Sequence, residues 1–490
     1  MSPSMPPEII SCIISYLLVP EVPDPMIYIQ EPARIARYAT VSKEWQKSVE
    51  RQTYSTLHLT PTRIEEFGRI VHENRRQYVH HINLDIVLNA YDEVACGRYE
   101  SDEDQERNNQ VFTETFQELF KIIGSWEDSH IADVGVSLSV KVYSPSDISA
   151  LGQMEARARR RKIGGPKDIL DRRFHKSYLK FIFDEAGETH LLDVVPAFKE
   201  IAIEGGISRH IWPASCSFIA SKTPRLRSLR LGLWDNEKKD IELRKRARDE
   251  FANSLDIWSP SIQKLYLSYY NQPPQDESFM PPILLTDPNG EDLLSISLGI
   301  MSQQLTKLTL EDITIGPELF FNSKSSTKTP EWPHLTSLTI NYNPITPSGH
   351  WLFERDPSED VEEYEEGEDP SLYMEADALP AAEDLRSNFF RHKASPEQMN
   401  RFYNAIGKAA LSMPVLRDIS MRALTTYWEH WFMYKATSTS ACAAWGSTPE
   451  FKPDESVLDV WREVSRKNLE VELEVKYEDP SGGVRRSPVM

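Results

Sequence analysis

An α/β fold, in which helices feed parallel strands one after another behind a helical N-terminal module, is what this 490-residue chain predicts. Three observations carry that expectation. A motif recurs along the chain: proline, any residue, apolar, two positions, apolar, one position, apolar. Amphipathic stretches of helical period precede several of its copies. Near the start, aliphatic residues fall at four-residue spacing behind two prolines and a glutamate.

The N-terminal module comes first. Pro6, Pro7 and Glu8 suit a first helical turn, where a missing N–H does no harm and a negative charge meets the positive end of the dipole. Two aliphatic rows follow, Ile9, Ile13 and Leu17 beside Ile10, Ile14 and Leu18. Together they make a face too wide for one small core, so part of it is expected to pack against another chain. Ala39-Thr40-Val41-Ser42-Lys43-Glu44-Trp45, Tyr54 and Leu57-His58-Leu59 complete the segment.

On these residues the first sixty or so positions resemble an F-box, the helical module that docks a protein onto the Skp adaptor of a cullin ubiquitin ligase. The resemblance implies an all-α adaptor-binding module over residues 1–60. It assigns adaptor binding to Pro6, Pro7, Glu8, Ile9, Ile13, Leu17, Val41 and Trp45, the last two orienting the helices from within. The chain departs from the family between Leu18 and Ala33, where Pro20, Pro23 and Pro25 lengthen a connection that is usually short. An ordinary amphipathic helix pair is the plainer reading of the same residues.

The recurring motif appears as Pro196 with Phe198, Ile201 and Ile203, as Pro224 with Leu226, Leu229 and Leu231, and as Pro260 with Ile262, Leu265 and Leu267. It returns as Pro333 with Leu335, Leu338 and Ile340, and as Pro414 with Leu416, Ile419 and Met421. A sixth copy, Leu305, Leu308 and Leu310, lacks the proline. Proline ends a preceding helix and biases its predecessor toward extended geometry, so each motif is expected to open a strand. Helical faces precede them: Met399, Phe402, Tyr403, Ile406 and Ala410 before Pro414, and Ile241, Ala247, Phe251 and Leu255 before Pro260. Earlier, Phe112, Phe116, Leu119, Phe120 and Ile123 mark a helix feeding the alternating strand Val134, Val136, Leu138, Val140, Val142. Weaker triplets stand at Val79, Ile82, Leu84 and at Tyr178, Phe181, Phe183.

This region, residues 61–490, resembles a degenerate leucine-rich repeat of the kind found behind F-boxes in fungal proteins. Successive copies lie 36, 43 and 30 residues apart from Leu226 to Leu335, longer and less even than the usual repeat, and the consensus asparagine after the strand is missing from most. An irregular solenoid of parallel strands and helices is therefore expected. A doubly wound domain is the rival arrangement.

Net charge is -20, and residues 354–384 hold fourteen acidic residues against the single basic Arg355. That stretch reads as a disordered acidic insertion, or as a lure for a basic partner. The charge balance argues against nucleic-acid binding, and no apolar run is long enough for a membrane. Four scattered cysteines, Cys12, Cys96, Cys216 and Cys442, suit a reducing compartment, so the expected location is cytoplasmic or nuclear. Arg157 to Lys162 is a basic run with two readings, an import signal or an exposed loop.

Searches for a phosphate-binding glycine loop, a His-Glu-x-x-His helix, a Cys-x-x-Cys pair or a nucleophile elbow find none, so no cofactor, no metal and no catalysis by the chain itself are expected. His80 and His81 read as surface or core-edge residues, and Glu429-His430 lacks a third ligand. Trp428, Trp431, Phe432, Tyr434, Trp445 and Trp461 are expected to cap the open end of the solenoid, ahead of an alternating strand at Leu469, Val471, Leu473 and Val475.

Between the apolar positions of each strand, Ser228, Arg230, Lys264, Tyr266, Lys307, Thr309, Ser337, Thr339, Asp418 and Ser420 point to a concave face. Parallel stacking would line up Arg230, Tyr266, Thr309 and Thr339 about 5 Å apart, a candidate target-binding ladder. The resemblance thus implies a non-catalytic substrate-recognition subunit of an Skp-cullin-F-box ligase, with an Skp adaptor, a cullin through it, and a target protein as partners. Two rivals stand beside it: a repeat-domain scaffold with no ligase, and an enzyme whose site is assembled from distant residues.

Overall fold

Short strands with aliphatics at every second position bury one side and leave the other in solvent. Leu229, Leu231 and Leu233 do so, as do Ile82, Leu84 and Ile86. A computed structural model describes residues 5–17, 33–92, 95, 98–126, 135–147, 173–183, 192–205, 209–287, 290–321, 330–355, 381–385, 387–425 and 428–478. Those residues form a mixed α/β fold around one large, mostly parallel sheet.

The chain begins with α1 (Pro7–Leu17), α2 (Ala33–Ala36) and α3 (Lys43–Thr53). It then enters β1 (Thr56–Leu59), which pairs in parallel with β2 (His81–Val87) after the short helices α4 (Ile64–Ile70) and α5 (Glu73–Arg76). The all-α expectation for residues 1–60 is thereby corrected. In β1 only Leu59 is fully buried, His58 is exposed, and the pairing with β2 satisfies backbone groups that a helix would have bonded internally.

Next come α6 (Asp102–Gly124), β3 (Val136–Tyr143), β4 (Phe198–Gly205), α7 (Pro213–Ser221) and β5 (Ser228–Trp234). Ser101 caps α6 by accepting the Asp104 N–H at 3.2 Å, and Phe112, Phe116, Leu119, Phe120 and Ile123 are all buried, as their spacing predicts. They continue into α8 (Ile241–Ser254), β6 (Lys264–Tyr270), α9 (Leu293–Ser302), β7 (Lys307–Ile313) and β8 (Ser337–Tyr342). A separate antiparallel pair, β9 (Phe353–Arg355) with β10 (Arg391–Ala394), follows. The chain closes with α10 (Pro396–Ala410), β11 (Asp418–Ala423), β12 (His430–Ala436), β13 (Ala441–Ser447), α11 (Glu455–Leu469) and β14 (Leu473–Glu478).

Twelve strands join one sheet in chain order, β1 to β8 and then β11 to β14. That order has no switch point, so the doubly wound alternative does not describe it. Every neighbouring pair is parallel except β11 with β12 and β12 with β13. The triplet at Tyr178, Phe181 and Phe183 forms no strand, and Leu179 makes only an isolated bridge to Ile211.

The motif prolines act differently from the expected helix stop. Pro224 lies inside a turn closed by the Leu226 N–H to the Thr223 carbonyl at 3.1 Å, Pro260 inside Ser259 to Ile262 at 3.2 Å, and Pro414 inside Met413 to Leu416 at 3.2 Å. Each occupies the second position of a four-residue turn, where its fixed φ is already correct. In the sixth copy Gln303 takes that place, with Leu305 bonded to Ser302 at 3.0 Å.

The aromatic end cap is also corrected. Phe432, Tyr434, Trp445 and Trp461 lie inside the core, the Phe432 ring 4.8 Å from Trp445 and 4.9 Å from Trp461. The sheet runs on past them to β14, an edge strand whose Glu474, Lys476 and Glu478 are exposed.

Candidate functional site

The N-terminal helices own a small core distinct from that of the sheet: Ile10, Ile14, Ile35 and Val49, with Tyr38, Ala39 and Trp45 packed against it. Only one of the two aliphatic rows on α1 is used there. Ile9 remains 50 % exposed, Leu17 45 % and Tyr16 82 %, with Met5 bare beside them. Pro6, Pro7 and Glu8 are exposed as well, and Ile13 is half-buried. Tyr16 was missed in the sequence, although its spacing of three from Ile13 places it on the same flank.

Ser42 starts α3 by accepting the Trp45 N–H at 3.3 Å. The Glu44 carboxyl, bonded by backbone N–H and by the Ser42 hydroxyl, is held below its ordinary pKa. Trp45 is half-buried, its ring 6.2 Å from that of Tyr38, so it does help fix the helices. Val41 does not. It is 60 % exposed, because it sits in the turn before the Ser42 cap rather than on a packed helical face. The unit is tied to the sheet by Arg75, which pairs with Glu50 at 2.8 Å and lies 5.1 Å from the Tyr54 ring centre, and by His80 and His81, whose N–H groups donate to the Ser55 carbonyl.

On the sheet, the four predicted ladder residues stand in register: Arg230 opposite Tyr266, Tyr266 opposite Thr309, Thr309 opposite Thr339. Thr339 in turn meets Ser420. Arg230 places its guanidinium 3.9 Å from the Tyr266 ring centre and its Nε 2.8 Å from Glu204 Oε1. The Tyr266 hydroxyl donates to Glu311, and its pKa is pushed up to about 12, first by burial and then by that carboxylate. Thr309 is a correction: it is only 9 % exposed, in register beside Tyr266, and offers little to a partner.

Beside this row, Lys264 and Lys307 are in register and exposed, and neither has an ion pair among the described residues. At the other end of the same strands, Ser268 is in register with Glu311 and donates to Asp312 at 3.3 Å. Asp312 has φ +53°, where the register of β7 against β8 shifts, and this bulge leaves its carbonyl accepting from the Asn271 N–H and the Asn343 amide, each at 3.2 Å. Burial raises the Asp312 pKa.

A buried polar row that the sequence reading overlooked follows β5 to β8: Asp235, Asn271, Thr314 and Asn343. Asn271 and Asn343 both donate side-chain N–H groups to the Thr314 hydroxyl, at 2.8 and 3.3 Å. Asp235 accepts from Arg244 at 3.0 Å and Arg248 at 2.7 Å, and Arg248 reaches on to Asp292 at 3.1 Å. Mixed residue identity, rather than a repeated asparagine, hid the row.

A surface cleft of about 230 Å³ opens beyond β6, β8 and β11, lined by Pro273, Pro344, Trp351, Phe389, Trp428 and Glu277 among others. The Glu277 carboxylate is bound by the Phe390 N–H at 2.6 Å and by that of Arg391, while burial raises its pKa. His430 bridges Tyr403 at 2.8 Å and Ser447 at 2.9 Å, a satisfied core histidine whose pKa burial lowers to about 3. Among the described residues no three metal-binding side chains converge, and no helix is long and apolar enough to cross a membrane. The Arg157 to Lys162 run and residues 356–380 of the acidic stretch lie outside the described residues. Its ends belong to β9 and to Asp384, which holds Lys238 at 2.6 Å.

A family model described as a family of unknown function (DUF6546) matches residues 384–488, the portion carrying β10 to β14. No curated protein matches the chain.

Proposed function

We propose that this chain is the substrate-recognition subunit of an Skp-cullin-F-box ubiquitin ligase, holding the Skp adaptor on its N-terminal helices and a target protein on the exposed face of its leucine-rich-repeat-like sheet. The observation that carries the reading is the division of α1: Ile10 and Ile14 close a private core, while Ile9, Tyr16 and Leu17 stay bare. Covering a side chain the size of Ile or Leu stabilises a complex by about 1.5–3 kcal/mol when burial is complete, and about half that for one already half-hidden. Several such side chains on one flank suit a permanent partner.

The chain then contributes proximity rather than chemistry. A target held on the sheet while the adaptor leads to the cullin has its lysines kept near an activated ubiquitin, which turns a bimolecular encounter into a local one.

Co-expression with an Skp adaptor tests this. The wild-type chain is expected to capture the adaptor, and Ile9→Asp with Leu17→Asp to weaken capture by roughly 100-fold. Unchanged thermal unfolding would show that the fold survives the two changes. Arg230→Glu with Tyr266→Ala should leave adaptor capture intact. A wild-type chain that recovers no adaptor ends the proposal.

A further inference from the structure

The exposed sheet face is electrically divided along its strands, and we infer that its partner is an extended protein segment carrying one acidic and one basic side chain four residues apart. This rests on the proposed role of that face in target binding and specifies what it selects. On β7, Lys307 and Glu311 project to the same side, four residues and thus about 13 Å apart. β6 doubles the cationic end, where Lys264 stands in register with Lys307; at the other end the second carboxylate is β7's own Asp312, which accepts from Ser268 at 3.3 Å.

The division is local to β6 and β7: Glu200 on β4 shares the lysine row two strands from Lys264, and Arg422 on β11, paired with Glu429 at 3.2 Å, stands near the Glu311 end. Glu204 is paired with Arg230 at 2.8 Å, so those two cancel. In the lysine row, Asp418 on β11 accepts from Ser337 at 2.6 Å and lies two strands beyond Lys307. On β6 and β7 themselves stand two cationic side chains at the start of the strands and two carboxylates at the end of β7. Between them lie Tyr266, braced by Arg230 and Glu311, and the hydroxyls of Thr309 and Thr339. Such a surface repels a uniformly acidic or uniformly basic segment at one end and attracts a segment of split charge at both.

The geometry sets the spacing. Residues at even separation in an extended segment face the same way, and four residues span about 13 Å. A separation of three or five sends the second charge to the opposite side. Two or six leaves it about 7 Å out of place.

The test uses the full-length chain and fluorescein-labelled nonapeptides of Ser and Thr containing one Glu and one Arg at separations of one to seven, in both orders, read by fluorescence anisotropy at low salt. Binding should peak at separation four, at least about tenfold above three and five, and weaken as salt rises. One order should win, reporting the direction in which the segment lies. The Lys264→Glu, Lys307→Glu double variant should transfer the preference to peptides with Arg at both positions. Adaptor capture by the same preparations, which depends on α1, separates loss of this selectivity from failure of the ligase reading. Binding that ignores spacing, survives charge reversal unchanged, or is undetectable for every peptide overturns the inference.

Discussion

The guanidinium of Arg230 lies 3.9 Å from the centre of the Tyr266 ring, while its Nε holds Glu204 and the Tyr266 hydroxyl holds Glu311. Four side chains from four successive strands are thereby linked across the exposed face. Each link limits the rotamers of the next, so the face is ordered in advance and a partner docking there would cost it less entropy.

Tyr266 reports on this chain of contacts. With its phenol pushed up to about 12, chiefly by burial and then by Glu311, the folded state keeps a proton that the unfolded state releases near pH 10. The contribution to stability is therefore present below pH 10 and falls between pH 10 and about 12. Site-resolved NMR titration of labelled tyrosine, assigned with Tyr266→Phe, should place this group above the exposed tyrosines. Glu311→Gln should move it back toward 10.

Acid stability depends on two buried histidines. His430, between Tyr403 and Ser447, and His210, stacked 4.0 Å from Trp234, both have pKa values lowered to about 3, in each case first by burial. Unfolding lets each take up a proton near pH 6.5. Stability should thus be full above that value and fall as pH drops toward 3, by up to about 1.4 kcal/mol per pH unit for each histidine. Urea unfolding between pH 7 and 5 would reveal it, and a flat profile would contradict the burial of both rings.

Asp235 stands between two arginines of α8 with all three groups out of solvent. Asp235→Ala leaves two buried guanidinium groups without their shared carboxylate, at a cost of about 3–5 kcal/mol. Chemical denaturation should show the loss.

Within the N-terminal unit, Ile14 is fully buried and Trp45 half-buried. Ile14→Ala should cost about 2–5 kcal/mol, enough to unfold so small a unit, whereas Trp45→Ala should cost less than the roughly 3–5 kcal/mol of a fully enclosed tryptophan. Amide exchange confined to residues 5–53 would distinguish this local opening from loss of the sheet.

Strands β5 to β8 and β11 were legible because paired aliphatics at fixed offsets from a turn leave few alternatives. The ladder from Arg230 to Thr339 followed from that register, since one residue of slip would have sent every member to the other side. β13 was not legible. Ala441, Ala443, Ala444 and Gly446 have little strand preference of their own, and the strand exists through its neighbours. A Cβ on Gly446 would come within 2.2 Å of the Trp431 indole, so glycine there admits the close approach of β12. The turn role of the prolines was hidden for a different reason: a helix stop and a tight turn leave the same trace in a sequence, and only the hydrogen bond from Leu226 to Thr223 separates them. Val41 misled because an apolar residue before a helix cap packs inward or outward according to the turn.

A row of parallel strands has no inherent last member, since each new edge invites another. Here the reversal through β12 and the return to β14 bring the array to a charged border, where Glu474 and Lys476 lie paired at 3.1 Å. That border discourages a second molecule from continuing the lattice. The residues that match the family model of unknown function, 384–488, thus carry this charged edge strand of the described sheet.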